Sequence, residues 1–233
     1  MTKISKNIKV IAFDADDTLW VNETYFRDAE HQFAKLLAKY ETENKIDQEL
    51  FKKEIKNLKL YGYGVKGFVL SMVECALELS NYQVKQKTIA AILEIGKEMI
   101  EKPIELLDGV EEVLQSLQGK YKLIVATKGD LLDQERKLEK SNLLKYFHHI
   151  EVMSDKKKKD YKKLIHHLDV SPSEFLMIGN SLKSDVLPLI ELGASAIHVP
   201  FHTTWMHEEV SDEEKLEVDY KTVANIKGII DLL

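Results

Sequence analysis

Two hydrophobic rhythms alternate along this chain and divide it into stretches of different character. From Ile8 to Phe13 a mostly apolar, β-favouring run predicts a buried strand, and it stops abruptly on acid at Asp14. Between residues 22 and 101 the apolar positions recur at helical spacing instead. Phe26, Ala29, Phe33, Leu36, Leu37 and Tyr40 fall on one stripe, and Leu50, Phe51, Ile55 and Leu58 on another. A third helix is predicted over 66–79 and a fourth over 87–101, stopped by Pro103. Between the second and third lies YGYGVKGF (61–68), where Gly62, Gly64 and Gly67 break regular structure.

After Asp108-Gly109 the rhythm changes to short strands alternating with helices. Strands are predicted at 121–126, 149–153, 175–178 and 195–199, and helices at 110–118, 130–140, 158–168 and 184–192. That alternation is the pattern of an α/β fold, a doubly wound parallel sheet of Rossmann-like type. The strand at 8–13 belongs to the same sheet, so the helical block is an insertion after the first strand. The expected organisation is a core of residues 1–20 and 102–233 carrying a helical cap of residues 21–101. No internal repeat or low-complexity linker interrupts it.

Composition narrows the function classes. The chain has 233 residues, 44% hydrophobic and 31% charged, enough to bury a sizeable core. A net charge of −6 gives no support to nucleic acid or an anionic membrane as partner. The single cysteine, Cys75, sits among apolar residues at helical spacing and reads as a core residue, not a nucleophile. One cysteine permits no disulfide within the chain, so a reducing cytoplasm is the expected compartment. The basic start (Lys3, Lys6, Lys9) is followed by too short an apolar run for a signal peptide, and no segment has the length of a transmembrane helix. Oligomeric state is not legible.

The chemistry collects at the strand ends. Residues 14–18 read DADDT, with carboxylates at Asp14, Asp16 and Asp17. Acids two residues apart at the end of a buried strand repel one another and need a hard cation or a basic neighbour. The competing reading is a solvated acidic turn that caps the helix starting near Asn22. The second strand ends at Thr127 in VATKGD, the third is followed by Lys156, and the fourth runs into GNSLKSD (179–185) with Asn180 and Asp185. Ligands of open parallel sheets bind beyond the carboxyl ends of the strands, so these groups converge on one crevice. Acid, hydroxyl, ammonium and acid make a cation site beside an anion site. The loop HVPFHTTWMHE (198–208) has no i, i+4 histidine pair on a predicted helix and is expected to rim the sheet edge. Thr18 is expected to satisfy backbone groups of its own turn.

In these ordered motifs the chain resembles the haloacid dehalogenase-like superfamily, specifically its magnesium-dependent phosphatases. DADDT is similar to that family's first motif, Thr127 to its second, Lys156 to its third and GNSLKSD to its fourth. The resemblance implies a phosphomonoester hydrolase acting on a small phosphorylated metabolite, with Asp14 as nucleophile and Asp16 as general acid and base. It implies Mg²⁺ held by Asp14, the backbone carbonyl of Asp16, Asn180 and Asp185. Thr127 and the backbone N–H of Lys128 would hold the phosphoryl oxygens, and Lys156, or Lys157 in its place, would neutralise them. The family's fourth motif usually opens on an acid where this chain has Asn180, which should weaken the metal's hold. Tyr61, Tyr63 and Lys66, with Phe68, are expected to select the substrate from a mobile cap segment. A phosphomutase, which shares the aspartyl-phosphate, and a non-catalytic binding protein are the alternatives. A dehalogenase would need neither the cation nor the second acid.

Overall fold

The computed structural model describes residue 4, residues 7–211 and residues 220–233, so Lys3 and Lys6 of the basic start lie outside the described residues. In chain order the elements are β1 (Val10–Phe13), four helices α1 (Glu23–Leu37), α2 (Glu43–Tyr61), α3 (Val65–Leu79) and α4 (Gln86–Glu101), then α5 (Val110–Leu117), β2 (Lys122–Lys128), α6 (Leu131–Lys140), β3 (His149–Met153), α7 (Lys158–His167), β4 (Phe175–Gly179), α8 (Leu187–Ile190), β5 (Ser195–His198) and β6 (Lys221–Thr222). All the strand pairs are parallel and the order is β3-β2-β1-β4-β5-β6.

That order explains the apolar runs. Alternate residues of a strand point to opposite faces, and here helices cover both. Val10 and Ala12 share one face with Ile124, Ala126, Phe175 and Met177, packed under Tyr161, Leu164 and Ile165 of α7 and Leu189 of α8. Ile11 and Phe13 share the other with Leu123, Val125, Leu176, Ile178 and Ile197, under Val110, Val113, Leu114 and Leu117 of α5. Because β2 and β4 flank β1 on opposite sides, the chain winds outward in both directions from β1. A crevice therefore opens at the carboxyl ends of β1 and β4.

Two local features differ from the sequence expectation. β6 has two residues, too few for any hydrophobic period to register, yet it pairs with Ile197 and His198 of β5. The helix expected at 184–192 begins instead at Leu182 as a π-helical turn to Val186, and α8 follows it. Pro188 has no N–H to return to the Ser184 carbonyl, and that oxygen accepts from the Tyr161 hydroxyl at 3.0 Å.

The described residues group into two compact units, one of residues 1–23, 104–128 and 134–233 around the sheet, and a helical one of residues 24–103 with 129–133. The helical unit packs Phe33, Leu37, Ile46, Leu50, Phe68, Met72, Cys75 and Ile92 into its own core. Its second helix corrects the predicted stripe: Phe51, Ile55 and Leu58 are half-buried, while the inward face carries Ile46, Leu50, Lys53, Glu54 and Asn57. The polar half of that face is matched on α3. Lys53 Nζ meets Glu78 at 2.6 Å, and Asn57 donates to Ser71 Oγ at 3.1 Å.

Phe68 lies against Phe26 with ring centroids 5.1 Å apart, so it is a core residue of this unit and not part of an exposed selective surface. Tyr61 closes α2 and donates its hydroxyl to Glu74 at 2.7 Å; Tyr63 is half-buried in the turn that follows. Lys66 pairs with Asp130 at 2.9 Å, and Gly64, against the Asp130 backbone, adopts φ +103°, where a side chain would be strained.

Cys75 of α3 is buried in the core of the helical unit, and burial pushes its thiol up to about 12. The native protein should therefore leave Ellman's reagent unreacted over minutes at pH 8, and release one equivalent per chain once unfolded in urea. Rapid reaction without denaturant would show that the helical core is not packed as described.

Candidate active site

The turn after β1 bends on Asp17, whose φ of +61° lies in the left-handed region that aspartate tolerates better than most residues. Its carboxylate accepts the backbone N–H groups of Asn22 and Glu23 at 2.8 and 3.0 Å and so caps α1. The acidic string thus does two things. Asp17 caps a helix, and this turn leaves Asp14 and Asp16 facing the crevice side.

Asp14 is met by Lys156, which stands two residues before α7 with its side chain 1% exposed. The ammonium contacts Asp14 Oδ1 and, at 2.7 Å, Asp185 Oδ1. Burial raises the Asp14 carboxyl above its ordinary range; Lys156 opposes that rise and Asp185 adds to it. Burial by itself would lower Lys156, but the two carboxylates outweigh it and the net direction is upward. Lys157, by contrast, is 69% exposed and pairs with Asp155.

Asn180 follows β4. One terminal atom of its amide lies 3.2 Å from Asp14 Oδ2 and 3.3 Å from both the Asp16 carbonyl oxygen and Thr18 Oγ1. As nitrogen, that atom donates to acceptors; as oxygen, it completes an all-oxygen cluster. Thr18 does more than close its own turn: its hydroxyl accepts the Asn180 N–H at 3.0 Å and donates toward Asp14 Oδ2 at 3.3 Å, stitching β1 to β4. Asp185 is returned to the same place by the π-helical turn, with Ser181 N–H on its Oδ2 at 3.0 Å and the Tyr161 hydroxyl 3.5 Å from its Oδ1.

Asp16 is held separately. Trp20 Nε1 and Lys137 Nζ meet its Oδ1 at 2.8 and 2.9 Å, and Gln134 Nε2 meets Oδ2 at 2.8 Å. Burial pushes this carboxyl up, but Lys137, then Gln134 and Trp20, hold it below the ordinary carboxylate range. Gln134 also donates to the Lys128 carbonyl at 2.9 Å, which joins Asp16 to the end of β2. There the Thr127 hydroxyl is buried and donates to the same carbonyl at 3.1 Å. The Lys128 ammonium is turned to Glu208 at 2.5 Å and Ser184 Oγ at 2.9 Å, so what it offers the crevice is backbone.

Asp14, Asp16, Thr127, Lys128, Lys156, Asn180 and Asp185 thus lie in one bonded network of the sheet unit, while Tyr61, Tyr63 and Lys66 belong to the helical unit. Sequence reasoning missed Trp20, Gln134, Lys137, Tyr161 and Glu208. Only Glu208 had a signal, lying at the end of the aromatic and histidine loop, which reaches the network and does not merely rim an edge.

A family model described as haloacid dehalogenase-like hydrolase matches residues 8–193. The chain belongs to the haloacid dehalogenase-like hydrolase family. A haloacid dehalogenase-like family hydrolase from Xanthomonas campestris is 34% identical, with 97% of this chain and 96% of that one covered and a TM-score of 0.83. At the level of fold alone, the chain is also similar to a HAD phosphatase from Thermococcus onnurineus (19% identity, 97% of each chain, TM-score 0.63) and to a 2-haloacid dehalogenase from Pseudomonas syringae (16% identity, 97% of each chain, TM-score 0.59). No curated protein matches in sequence. The haloacid dehalogenase-like fold therefore serves both chemistries, and the site residues must separate them. Among the described residues no helix is long and apolar enough to cross a membrane.

Gly179 ends β4 where the Asp185 carboxylate crosses it, and a Cβ there would stand 2.2 Å from Asp185 Oδ2. Gly179→Ala should displace that carboxylate and cost about 1–3 kcal/mol in urea unfolding, the usual range for overpacking. An alanine variant as stable and as active as the parent would overturn this packing.

Proposed function

We propose that this hydrolase cleaves phosphomonoesters of a small metabolite through a phosphoenzyme on Asp14, with Mg²⁺ bound beside it. The observation that carries the reading is the convergence of Asp14 Oδ2, the Asp16 carbonyl oxygen and the Asn180 side-chain amide on one point. Hard cations of small radius take such oxygens, and an amide that turns its oxygen inward would complete the set. Charge supports the same conclusion. Asp14, Asp16 and Asp185 set three carboxylates against the two ammoniums of Lys156 and Lys137, which leaves one negative charge in excess. A phosphate dianion would be repelled from such a site unless a divalent cation reversed its sign. Asp14, the Asp16 carbonyl and Asn180 would hold that ion, with Asp185 supporting the set directly or through a water. When bound, Mg²⁺ supplies charge stabilisation to the transferring phosphoryl group.

The chain's own residues then divide the work. An Asp14 oxygen attacks phosphorus as the bond to the leaving oxygen breaks, and Asp16 gives that oxygen a proton. Water next attacks phosphorus, Asp16 takes the water's proton, and the Asp14–phosphorus bond breaks. The clamp of Trp20, Gln134 and Lys137 favours ionised Asp16, the form required for the second step. For the first step Asp16 must leave part of that clamp and bind a proton as substrate enters. Lys156 holds Asp14 in line and offsets charge on the phosphoryl group, while Thr127 Oγ1 and the Lys128 N–H donate to its oxygens. A dehalogenase reading leaves Asp16, its clamp and the convergence of Asp14, the Asp16 carbonyl and Asn180 without a task.

Release of phosphate from p-nitrophenyl phosphate should require Mg²⁺, and Asp14→Asn should lower it more than about 10³-fold, equivalent to about 4 kcal/mol in the transition state, while the fold persists. Phosphate trapped on any residue other than Asp14 would sink the mechanism. Asp16→Ala should slow an alkyl phosphate more than p-nitrophenyl phosphate, because a basic leaving group depends most on the acid. Equal losses would remove Asp16 from that role.

Tyr61, Tyr63 and Lys66 are proposed to select the substrate. Tyr61 and Lys66 have side chains anchored by Glu74 and Asp130, so each would present a fixed polar group. Changing Tyr63 and Lys66 to alanine should reorder a panel of sugar phosphates, nucleotides and phospho-acids more than it changes turnover of p-nitrophenyl phosphate. A uniform fall across the panel would make the segment structural.

A further inference from the structure

Glu208 takes no part in the chemistry above, yet it is a carboxylate in the wall of the site with a side chain only 12% exposed. It arrives from a single helical turn, Met206–Glu208, at the end of the loop that follows β5. One oxygen accepts from Lys128 Nζ at 2.5 Å, and the other accepts from both Ser181 Oγ and Ser184 Oγ at 2.5 Å. Burial pushes this carboxyl up, but Lys128 and the two serines outweigh it and bring it to about 2. A second tie fastens the same loop, from Lys183 Nζ to the His207 carbonyl at 2.5 Å.

The serines matter because of what they carry. Ser181 Oγ accepts the Ser184 N–H at 3.0 Å, Ser181 N–H donates to Asp185 Oδ2 at 3.0 Å, and Ser181 O accepts the Asp185 N–H at 2.8 Å. Asn180 immediately precedes this turn. Asp185 is thus aimed by a turn whose hydroxyls point at Glu208, and Asn180 is the residue that leads into it. The other oxygen of Glu208 holds the Lys128 ammonium, which also donates to Ser184 Oγ at 2.9 Å.

We infer that Glu208 is a positioning residue for the cation site, ordering the 181–185 turn and restraining Lys128 so that Asn180 and Asp185 are presented for binding. This rests on the proposed reading that Mg²⁺ binds at Asp14, Asn180 and Asp185. A loop needing only attachment would be held more cheaply by apolar contact, since a buried charge carries a desolvation penalty. Outer residues that orient metal ligands typically change metal affinity 10–100-fold when altered.

Glu208→Gln is the informative change, because neither orientation of the amide satisfies both sides. With its oxygen toward the serines, its NH₂ faces an ammonium; with the oxygen toward Lys128, its NH₂ replaces the acceptor the hydroxyls need. Mg²⁺ binding to the whole protein, measured by titration calorimetry without substrate, should weaken at least about tenfold in Glu208→Gln. If that variant does not fold, Lys128→Met/Glu208→Gln removes both charges and should show a similar loss, since the turn still lacks its carboxylate. Either variant, folded by circular dichroism and binding Mg²⁺ as the parent does, overturns the inference. A parent that binds no Mg²⁺ overturns the cation site itself, and this role with it.

Discussion

A lysine ammonium can stay charged in a protein interior only when carboxylates meet it there, and two do so here. Lys156 lies between Asp14 at the end of β1 and Asp185 beyond β4, with its side chain almost fully removed from water. The rest of the site depends on this contact, because removing the lysine would leave two buried carboxylates without a counter-charge, a loss of about 3–5 kcal/mol. It also ties three separately encoded strand ends into one object. Lys156 belongs to the segment after β3, yet it reaches past β2 to the two strands at the centre of the sheet.

The sheet topology makes that reach possible. β1 is central, β2 and β4 pair with it on either side, and the crevice falls where the winding reverses. The approach is tight enough that β4 must end on glycine, since any side chain at 179 would occupy the place of the Asp185 carboxylate. Pro188 and the Tyr161 hydroxyl support the same arrangement from behind by letting the turn open into a π-helical form. The strand ends thus set the separation of the charges, since Asp14 and Asn180 directly follow β1 and β4 and Lys156 stands in the short segment between β3 and α7.

The two acids of the DADDT string end in opposed electrostatic settings. Asp14 is raised by burial and by a neighbouring carboxylate, whereas Asp16 is lowered by Lys137, Gln134 and Trp20 against its own burial. Divergent settings for two nearby acids are a common physical basis for distinct roles in one reaction. Glu208 makes a third carboxylate with a third setting, fully ionised and fully partnered, suited to holding other groups still.

Much of the fold was legible in the sequence because it follows from periodicity. A strand covered on both faces reads as a continuous apolar run, amphipathic helices read at 3.6 residues, and the alternation of the two implies a parallel sheet. The acids of the first strand end, and the threonine, lysine and asparagine of the others, were legible because parallel topology sends all strand ends to one side. What the sequence could not supply were the partners. Lys137 and Gln134 stand more than a hundred residues from Asp16, and Glu208 lies eighty from Lys128. Polar contacts across such distances leave no period, since a lysine facing solvent and one clamping an acid look alike in a string. The same limit hid the inward polar face of α2, where Lys53 and Asn57 are buried only because Glu78 and Ser71 of α3 receive them. It also left Lys157 as an alternative to Lys156 until the segment between β3 and α7 turned one inward and the other into water. Local pattern determined which elements form and which strand ends carry charge. Tertiary packing alone decided which charges meet, because burial and pairing are properties of the folded surface and not of the order of residues.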